Sequence, residues 1–544
     1  MPTIAELILD ALQHHGIDTL YCLPGVQNDD FFDALYDRRN AIKTIVTRHE
    51  QGAAYMALGA AQATGRPQAY CVVPGQGLLN ASAAHATAFG VSARVAGIIG
   101  QIPEAYEGKG LGLLHELDDQ MAILAQISQQ TGKIRDPARA PSQIAKLMNA
   151  LVNGDAKPIA FDVPMNRWQT ETTGYEADEP HRFEIDLDAI NAAADLLANA
   201  KNPMIIAGSG ALETPDATLE LASMLQAPVA TYRQGRGVID DRNPLSINLT
   251  VAHGLWPNVD VVLGLGTRMH YPLTAWGTDD ELKIVQISTD PVEMTRRTEP
   301  ACAINARCEE ALPLLIQALQ TKLARRTDRT EQLQQAKSRF AQEIAFLEPQ
   351  ISYLNAIRDA LPDNGIFIDD ITQVSFAARI AFPVHKPRTY ISAGFPGTLG
   401  FGYAAALGAQ NSMPGTPTIA VQGDGGFMFT SNELATAVQY NIPLTAIVFN
   451  DGAFGNVKRT QVEDYDNRTI ASDLTNPDFV KYAESFGAQG LRAHSPDALR
   501  SCLEQAFKSG GPTVIDVPVG PMPNPWKHLV RFGGRQTADP KIFP

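Results

Sequence analysis

The sequence predicts an α/β protein of about three domains, each a mainly parallel sheet flanked by helices. Length, patterning and composition carry this expectation. The chain has 544 residues, more than a single core accommodates at roughly 100 to 200 residues per domain. Short β-branched runs alternate with alanine-rich helical runs, as in TIV followed by EQGAAYMALGAAQATG from Glu50, which is the pattern of parallel sheets with crossover helices. Apolar residues at 44% and charged residues at 19% are ordinary for a globular chain.

Residues 1–170 read as the first α/β domain. Residues 171–189, which include the acidic and aperiodic GYEADEPHRFEIDLD, read as a linker. A central domain follows over 190–325, with strands at PMIIAGSG, VDVVLGLG and KIVQIS, and a charged linker helix over 326–350. The third domain spans 351–520 and carries the strands GIFIDD, TIAVQGD and LTAIVFN. The proline- and glycine-rich residues 521–544 read as an extended tail.

The formal charge of −15, without a basic stripe, disfavours nucleic acid and anionic membranes as partners. Five scattered cysteines without CxxC spacing suggest buried thiols in a reducing compartment. The opening MPTIAELILDALQHHGID has the period of an amphipathic helix rather than the form of a signal peptide. No uncharged apolar run reaches about 18 residues. A cytoplasmic protein is the expectation.

Two strand ends concentrate the chemistry. TIAVQ runs into Gly423-Asp424-Gly425-Gly426, followed by Thr430 and Glu433 at capping-box spacing before the helical NELATAVQY. A glycine-rich turn at the carboxyl end of a strand lets backbone N–H groups approach phosphate oxygens closely. The next strand, LTAIVF, ends at Asn450-Asp451-Gly452-Ala453. Asp424 and Asp451 lie one crossover apart, 27 positions, so neighbouring parallel strands bring them to one cation. Magnesium takes one or two carboxylates plus phosphate oxygens, and the Ala453 carbonyl offers a further ligand. By itself GDGG is common strand-to-turn punctuation.

This segment resembles the thiamine-diphosphate signature of the family that holds acetolactate synthases, pyruvate decarboxylases and benzoylformate decarboxylase, in which GDG is followed by a pair of asparagines. The resemblance implies a three-domain thiamine-diphosphate architecture, thiamine diphosphate and Mg²⁺ as cofactors, Asp424, Asp451 and Ala453 as metal ligands, and Gly425 and Gly426 beside the diphosphate. Asp451 stands where the family has asparagine, which adds a negative charge and removes an amide donor.

RHEQGAAYMALGAAQATGRP resembles the acetolactate synthase pattern around Glu50. In that reading the Glu50 carboxyl faces N1′ of the aminopyrimidine and favours the imino form that takes the C2 proton. An isolated glutamate opening a helix otherwise complements the macrodipole. SAGFPGTLGFGYAAAL resembles the stretch that bends the cofactor, with Leu399 as the wedge after Gly397. Asp370, Thr372 and Gln373 match the loop that holds diphosphate and pyrimidine.

Pro24-Gly25-Val26 and Pro74-Gly75-Gln76-Gly77 with Asn80 match loops on the substrate side. Val26 and Val73 replace the serine and histidine of benzoylformate decarboxylases, which disfavours that specificity. Gly100-Gln101 and His115-Glu116 match two further family turns, so Gln101 and His115 join Glu50 as catalytic candidates. Gly25, Val26, Gln76, His115 and Trp526 form the expected substrate pocket, with Trp526, Lys527 and His528 as a lid. FAD stays open, because GSGA at Gly208 lacks the full GxGxxG and Arg268 and Asp290 match flavin positions only loosely.

The activity implied is decarboxylation of pyruvate or a similar 2-oxo acid with carboligation of the enamine to a second carbonyl compound. A simple decarboxylase, a flavin-linked oxidoreductase and a non-catalytic cofactor-binding subunit are the alternatives. The family builds each site between the first domain of one subunit and the third of its partner, which implies a homodimer or homotetramer.

Overall fold

A computed structural model of the chain describes residues 1–180 and 182–539. It contains three six-stranded parallel sheets flanked by helices, the expected α/β class. The first is built from β1 (Thr19–Cys22), β2 (Lys43–Val46), β3 (Gln68–Val72), β4 (Val95–Gln101), β5 (Gln130–Lys133) and β6 (Ile159–Pro164). The middle sheet holds β7 (Pro203–Ala207), β8 (Val229–Thr231), β9 (Ser246–Ile247), β10 (Val261–Leu265), β11 (Lys283–Ser288) and β12 (Cys302–Asn305). The third holds β13 (Ile366–Asp369), β14 (Tyr390–Ser392), β15 (Thr418–Gly423), β16 (Thr445–Asn450), β17 (Gln489–Arg492) and β18 (Thr513–Pro518).

The first sheet runs β2-β1-β3-β4-β6-β5 and the third runs β14-β13-β15-β16-β18-β17, so the two share one topology. The middle sheet runs β12-β11-β10-β7-β8-β9. Two compact units result. One contains the first sheet and the greater part of the third, and the other contains the middle sheet, residues 373–390 and the segment from Gly520 onward.

In the first unit, helix Ile4–His14 opens on a reciprocal cap: Thr3 N–H donates to Glu6 at 2.8 Å and Glu6 N–H donates to the Thr3 hydroxyl at 3.2 Å. Its apolar face, Leu7, Ile8 and Ala11 among others, joins Phe31, Phe161 and Trp168 in a core on one side of the first sheet. A second core continues from Tyr55 and Leu78 of the first sheet's layer to Phe401, Leu434 and Val448 of the third's. Its centre is the crossing of helices Glu50–Thr64 and Phe401–Ser412, both alanine-rich and buried over nearly their whole lengths. Backbones touch there: a Cβ on Gly59 would lie 1.9 Å from the Ala405 carbonyl oxygen, and one on Gly408 would lie 1.9 Å from that of Met56.

In the second unit the expected linker helix is shorter at both ends, Thr330–Ile344. Arg326 is drawn out of it to cap another helix, donating to the carbonyls of Leu197 and Ala198 at 2.8 Å each. The described residues of the segment read as an extended tail are hydrogen-bonded within this unit. Gly533 N–H donates to Ala275 and Asp539 N–H to Thr274, both at 2.9 Å, and the buried Arg535 guanidinium donates to the Trp256 carbonyl at 2.9 Å. Cys22, Cys71, Cys302 and Cys308 are buried. Among the described residues no helix is long and apolar enough to cross a membrane.

The helix crossing leaves no room for a methyl group, because the obstacle at each glycine is backbone. Gly408→Ala is expected to lower stability by about 1–3 kcal/mol through overpacking, read as a drop in the urea midpoint. An unchanged midpoint would mean that the two helices do not meet at this position.

Candidate active site

In an open parallel sheet, ligands sit beyond the carboxyl ends of the strands where the strand order reverses. In the first sheet that point lies between β1 and β3, and in the third between β13 and β15. The loops at these two points are the ones the sequence singled out.

The first half-site forms on the loops after β1 and β3. Val73 fills the space beside two glycines: a Cβ on Gly25 or on Gly77 would come within 2.5 or 2.7 Å of its side chain. Gly75 has φ +56°, and its missing side chain leaves room for the His115 carbonyl oxygen, 2.3 Å from where a Cβ would sit. Glu50 is the first residue of its helix, and its carboxylate accepts a hydrogen bond from Asn80 Nδ2 at 3.0 Å. The same carboxylate lies 3.7 Å from the Cβ position of Gly77. His115 faces Gln27, ring Nδ1 to Oε1 3.3 Å, and Gln27 in turn donates to the Leu114 carbonyl at 3.0 Å. Val26 and Gln76 are exposed at the rim. Glu50, Gly25, Val26, Gln76 and His115 are therefore brought together.

Gln101 is placed otherwise. It is buried, and its amide is spent inside the protein, donating to Asp162 at 3.2 Å and accepting from Ile102 N–H at 2.8 Å. Asp162 is a buried carboxylate that needs donors, and Gln101 supplies one of them. Burial raises the Asp162 carboxyl above its ordinary range. Gln120, not singled out in the sequence, serves the same network. Its Nε2 donates to Asp162 at 2.9 Å and to the Gly100 carbonyl at 3.0 Å, and its Oε1 accepts from Gly75 N–H at 3.0 Å. The turn beside Glu50 is thus pinned by a buried amide.

The second half-site lies on the third sheet. Asp424 is buried, and the chain turns helical at once, over Asp424–Thr430. The GDGG segment is therefore the first turn of a helix rather than a loop. Gly425 is needed there, since a Cβ would lie 2.6 Å from the Phe454 ring. Leu399 comes within 3.7 Å of the Cβ position of Gly426, and Gly397 is exposed in the same loop with φ +55°. Thr372 is buried 3.7 Å from the Cβ position of Gly423.

The Asp424 carboxylate accepts from Gly425 N–H and Gly452 N–H at 2.9 Å each and from Asn476 Nδ2 at 2.5 Å. Asn476 is a further residue the sequence did not flag. Asp451 accepts from Ala453 N–H at 3.3 Å, and Ala453 is buried. Burial raises the Asp424 carboxyl, and burial together with the Asp424 charge pushes Asp451 up to about 6. Two carboxylates that repel one another at the mouth of a helix N-terminus fit a divalent cation with a diphosphate. Among the described residues no group of three His, Cys, Asp or Glu side chains is arranged to hold a metal, so carbonyl and phosphate oxygens would complete the shell.

The capping box expected from Thr430 and Glu433 is not formed. Thr430 donates to the Gly400 carbonyl at 3.0 Å, and Glu433 turns to Arg48 N–H. Within one chain no hydrogen bond or ion pair among the described residues joins Glu50 to Asp424 or Asp451. Gln373 and Trp526 belong to the second unit, where Gln373 opens helix Gln373–Ala381 and Trp526 packs on Phe376 with ring centroids 4.8 Å apart. His528 is held there as well, its carbonyl accepting from Thr250 at 2.6 Å, whereas Lys527 is exposed.

In the middle sheet the order reverses between β7 and β10. Gly210 N–H there donates to the Gly266 carbonyl at 3.1 Å, and a Cβ on Gly208 would lie 2.4 Å from that oxygen. The segment after β7 is the short turn Ser209–Ala211, and the next helix begins only at Pro215. Asp290 caps helix Pro291–Thr295 with its carboxylate. This turn lacks the helix N-terminus that a dinucleotide fingerprint supplies.

Comparison with known proteins agrees with this layout. Residues 2–123 match the N-terminal TPP binding domain of thiamine pyrophosphate enzymes, residues 190–315 the central domain, and residues 370–517 the C-terminal TPP binding domain. The chain is 31% identical to an acetolactate synthase large subunit of Parasynechococcus marenigrum, over 95% of this chain and 87% of the relative. It is 29% identical to an acetolactate synthase of Bacillus subtilis, over 95% and 93% of the two chains. It is 28% identical to a probable 2-ketoarginine decarboxylase of Pseudomonas aeruginosa, over 95% and 94%.

The acidic pair has a consequence for stability. Asp451 is raised in the folded state from an ordinary 3.8 to about 6, so between those values the folded chain binds more protons than the unfolded one. The contribution of Asp451 to the stability of the cofactor-free protein is therefore expected to fall as pH rises through this window. Asp451→Asn should remove that contribution, so that the difference between the two proteins changes with pH, and should preserve or tighten cofactor binding. Thermal melts of both proteins from pH 4 to pH 7 check this; parallel curves would refute it.

Proposed function

Because the chain belongs to the thiamine pyrophosphate enzyme family, we propose that it decarboxylates pyruvate or a similar small 2-oxo acid and joins the product to a second carbonyl compound, as an acetolactate synthase-like carboligase. The observation that carries this reading is Glu50 at the first turn of its helix, its carboxylate held by Asn80 beside the Gly75–Gly77 turn. Thiamine diphosphate, when bound, supplies the carbon centre that adds to a 2-oxo group and accepts the electrons left by carbon dioxide.

The chain's own groups do the rest. Glu50, its carboxylate held in place by the Asn80 amide, would share a proton with the pyrimidine nitrogen of the bound cofactor. Asp424, Asp451 and the Ala453 carbonyl would hold Mg²⁺, and the Gly425–Gly426 turn would lie beside the diphosphate. Leu399 would pack against the bound cofactor. His115, oriented by Gln27, stands where a substrate carboxylate is steered. Val26, Leu111 and Leu114 are apolar and at least half exposed, and covering them dries the space in which a carbonyl acceptor competes with a proton.

The separate partners of Glu50 and Asp424 within one chain support a site completed between two copies, hence a homodimer or a tetramer of such dimers. A second reading, decarboxylation without carboligation, is favoured by the similarity to the probable 2-ketoarginine decarboxylase.

Incubation with thiamine diphosphate, Mg²⁺ and a panel of 2-oxo acids, with and without aldehyde acceptors, separates the two readings by product. Coupled products in addition to carbon dioxide support the carboligase, aldehyde alone supports the decarboxylase, and no carbon dioxide from any acid defeats both. Glu50→Gln is expected to lower turnover by at least roughly tenfold, the low end for a positioned acid–base group. Unaltered turnover in that variant would remove Glu50 from the mechanism.

A further inference from the structure

Glu433 is a fully buried carboxylate that the proposed chemistry leaves without a role. Both of its oxygens lie 3.1 Å from Arg48 N–H, so the amide two residues before Glu50 donates to a carboxylate from the third sheet's layer. The Thr436 hydroxyl donates to the same group and fixes its orientation. Gly52, in the first turn of the Glu50 helix, makes room for it, since a Cβ there would lie 2.3 Å from Glu433 Oε1.

The grip extends to either side. Val46 N–H donates to the Tyr440 hydroxyl at 3.0 Å, and the Arg48 guanidinium donates to Gln439 Oε1 at 2.7 Å. The approach to Glu50 is thus held at three points by one stretch, 433–440. Helix N-termini carry unsatisfied N–H groups that a carboxylate meets with a charge-assisted bond. The cap supplied from within the segment is weaker, a single bond from Gln51 N–H to the His49 ring at 3.2 Å.

We propose that Glu433 is a positioning residue for Glu50, setting where the Glu50 carboxylate stands against the aminopyrimidine. It does so from the stretch that begins three residues after helix Asp424–Thr430, which itself starts at the cation site. One chain therefore ties its activating acid to its own diphosphate cradle. If sites are completed between copies, this bond links the acid of one site to the cradle of the other. The assignment rests on the thiamine-diphosphate reading above.

Three measurements on the full-length protein test it: hydrogen exchange of the Arg48 and His49 amides without cofactor, the Kd for thiamine diphosphate, and the rate of C2–H exchange of the bound cofactor. In Glu433→Ala, amide exchange is expected to rise by roughly tenfold, the effect of losing one buried hydrogen bond. C2–H exchange should fall by roughly tenfold or more, as displaced catalytic groups do, while Kd shifts by less than about threefold, below what loss of one hydrogen bond to the cofactor would cause. Glu433→Gln keeps one acceptor oxygen and should recover most of both rates.

If Glu433→Ala does not fold, Thr436→Val, which frees the carboxylate to rotate, should move both rates in the same directions by smaller factors. Wild-type C2–H exchange in Glu433→Ala, or in Thr436→Val where that variant decides, overturns the positioning role alone. Loss of affinity in step with C2–H exchange and without rescue by glutamine overturns it too, since that is general damage to the fold. Absence of C2–H exchange in the wild-type protein overturns this role together with the proposed function.

Discussion

The crossing of helices Glu50–Thr64 and Phe401–Ser412 is the constraint on which the first unit depends. Each helix offers glycine and alanine to the other, so that Gly59 and Gly408 meet carbonyl oxygens directly and no side chain intervenes. Small residues give up apolar area and gain backbone proximity. The gain in this chain is positional. Glu50 opens one of these helices, and the loop that carries Leu399 leads into the other, with the Tyr55 hydroxyl 3.0 Å from that of Thr398. Two sheets of identical strand order thereby share one core, and the loops at their topological switch points keep a defined relation to it.

Around that frame the site is built from groups that are costly to bury. Asp424 and Asp451 repel one another where solvent is scarce, and the raised Asp451 carboxyl is the sign of that cost. The protein meets Asp424 with two backbone N–H groups and Asn476, and Asp451 with one backbone N–H. The buried Asp162 receives Gln101, Gln120 and Arg135, and through Gln120 it stiffens the turn next to Glu50. Each carboxylate therefore holds a loop in place by accepting its donors, and local stability is exchanged for a fixed geometry.

Much of this was legible in the chain itself. Alternating β-branched and alanine-rich runs specify parallel α/β layers, because periodicity and propensity act over a few residues. The same local logic places Glu50 at a helix start and Asp424 and Asp451 at the ends of neighbouring strands. Other readings failed where a local motif met a distant partner. Thr430 and Glu433 have the spacing of a capping box, yet Thr430 bonds to Gly400 and Glu433 to Arg48, 385 positions away. The proline- and glycine-rich tail reads as extended, and Arg535 anchors it through carbonyls that no pattern announces.

What the sequence determined by itself was the layer class, the strand ends that carry the acidic pair and the glutamate that opens its helix, since each follows from short-range periodicity and from residue types at fixed spacing. Only the tertiary structure decided which buried polar groups serve the site and which serve the fold. A buried donor or acceptor must find a partner wherever the packing brings one, and for Glu433, Gln120 and Asn476 that partner was set by the crossing of two helices and the apposition of strand ends.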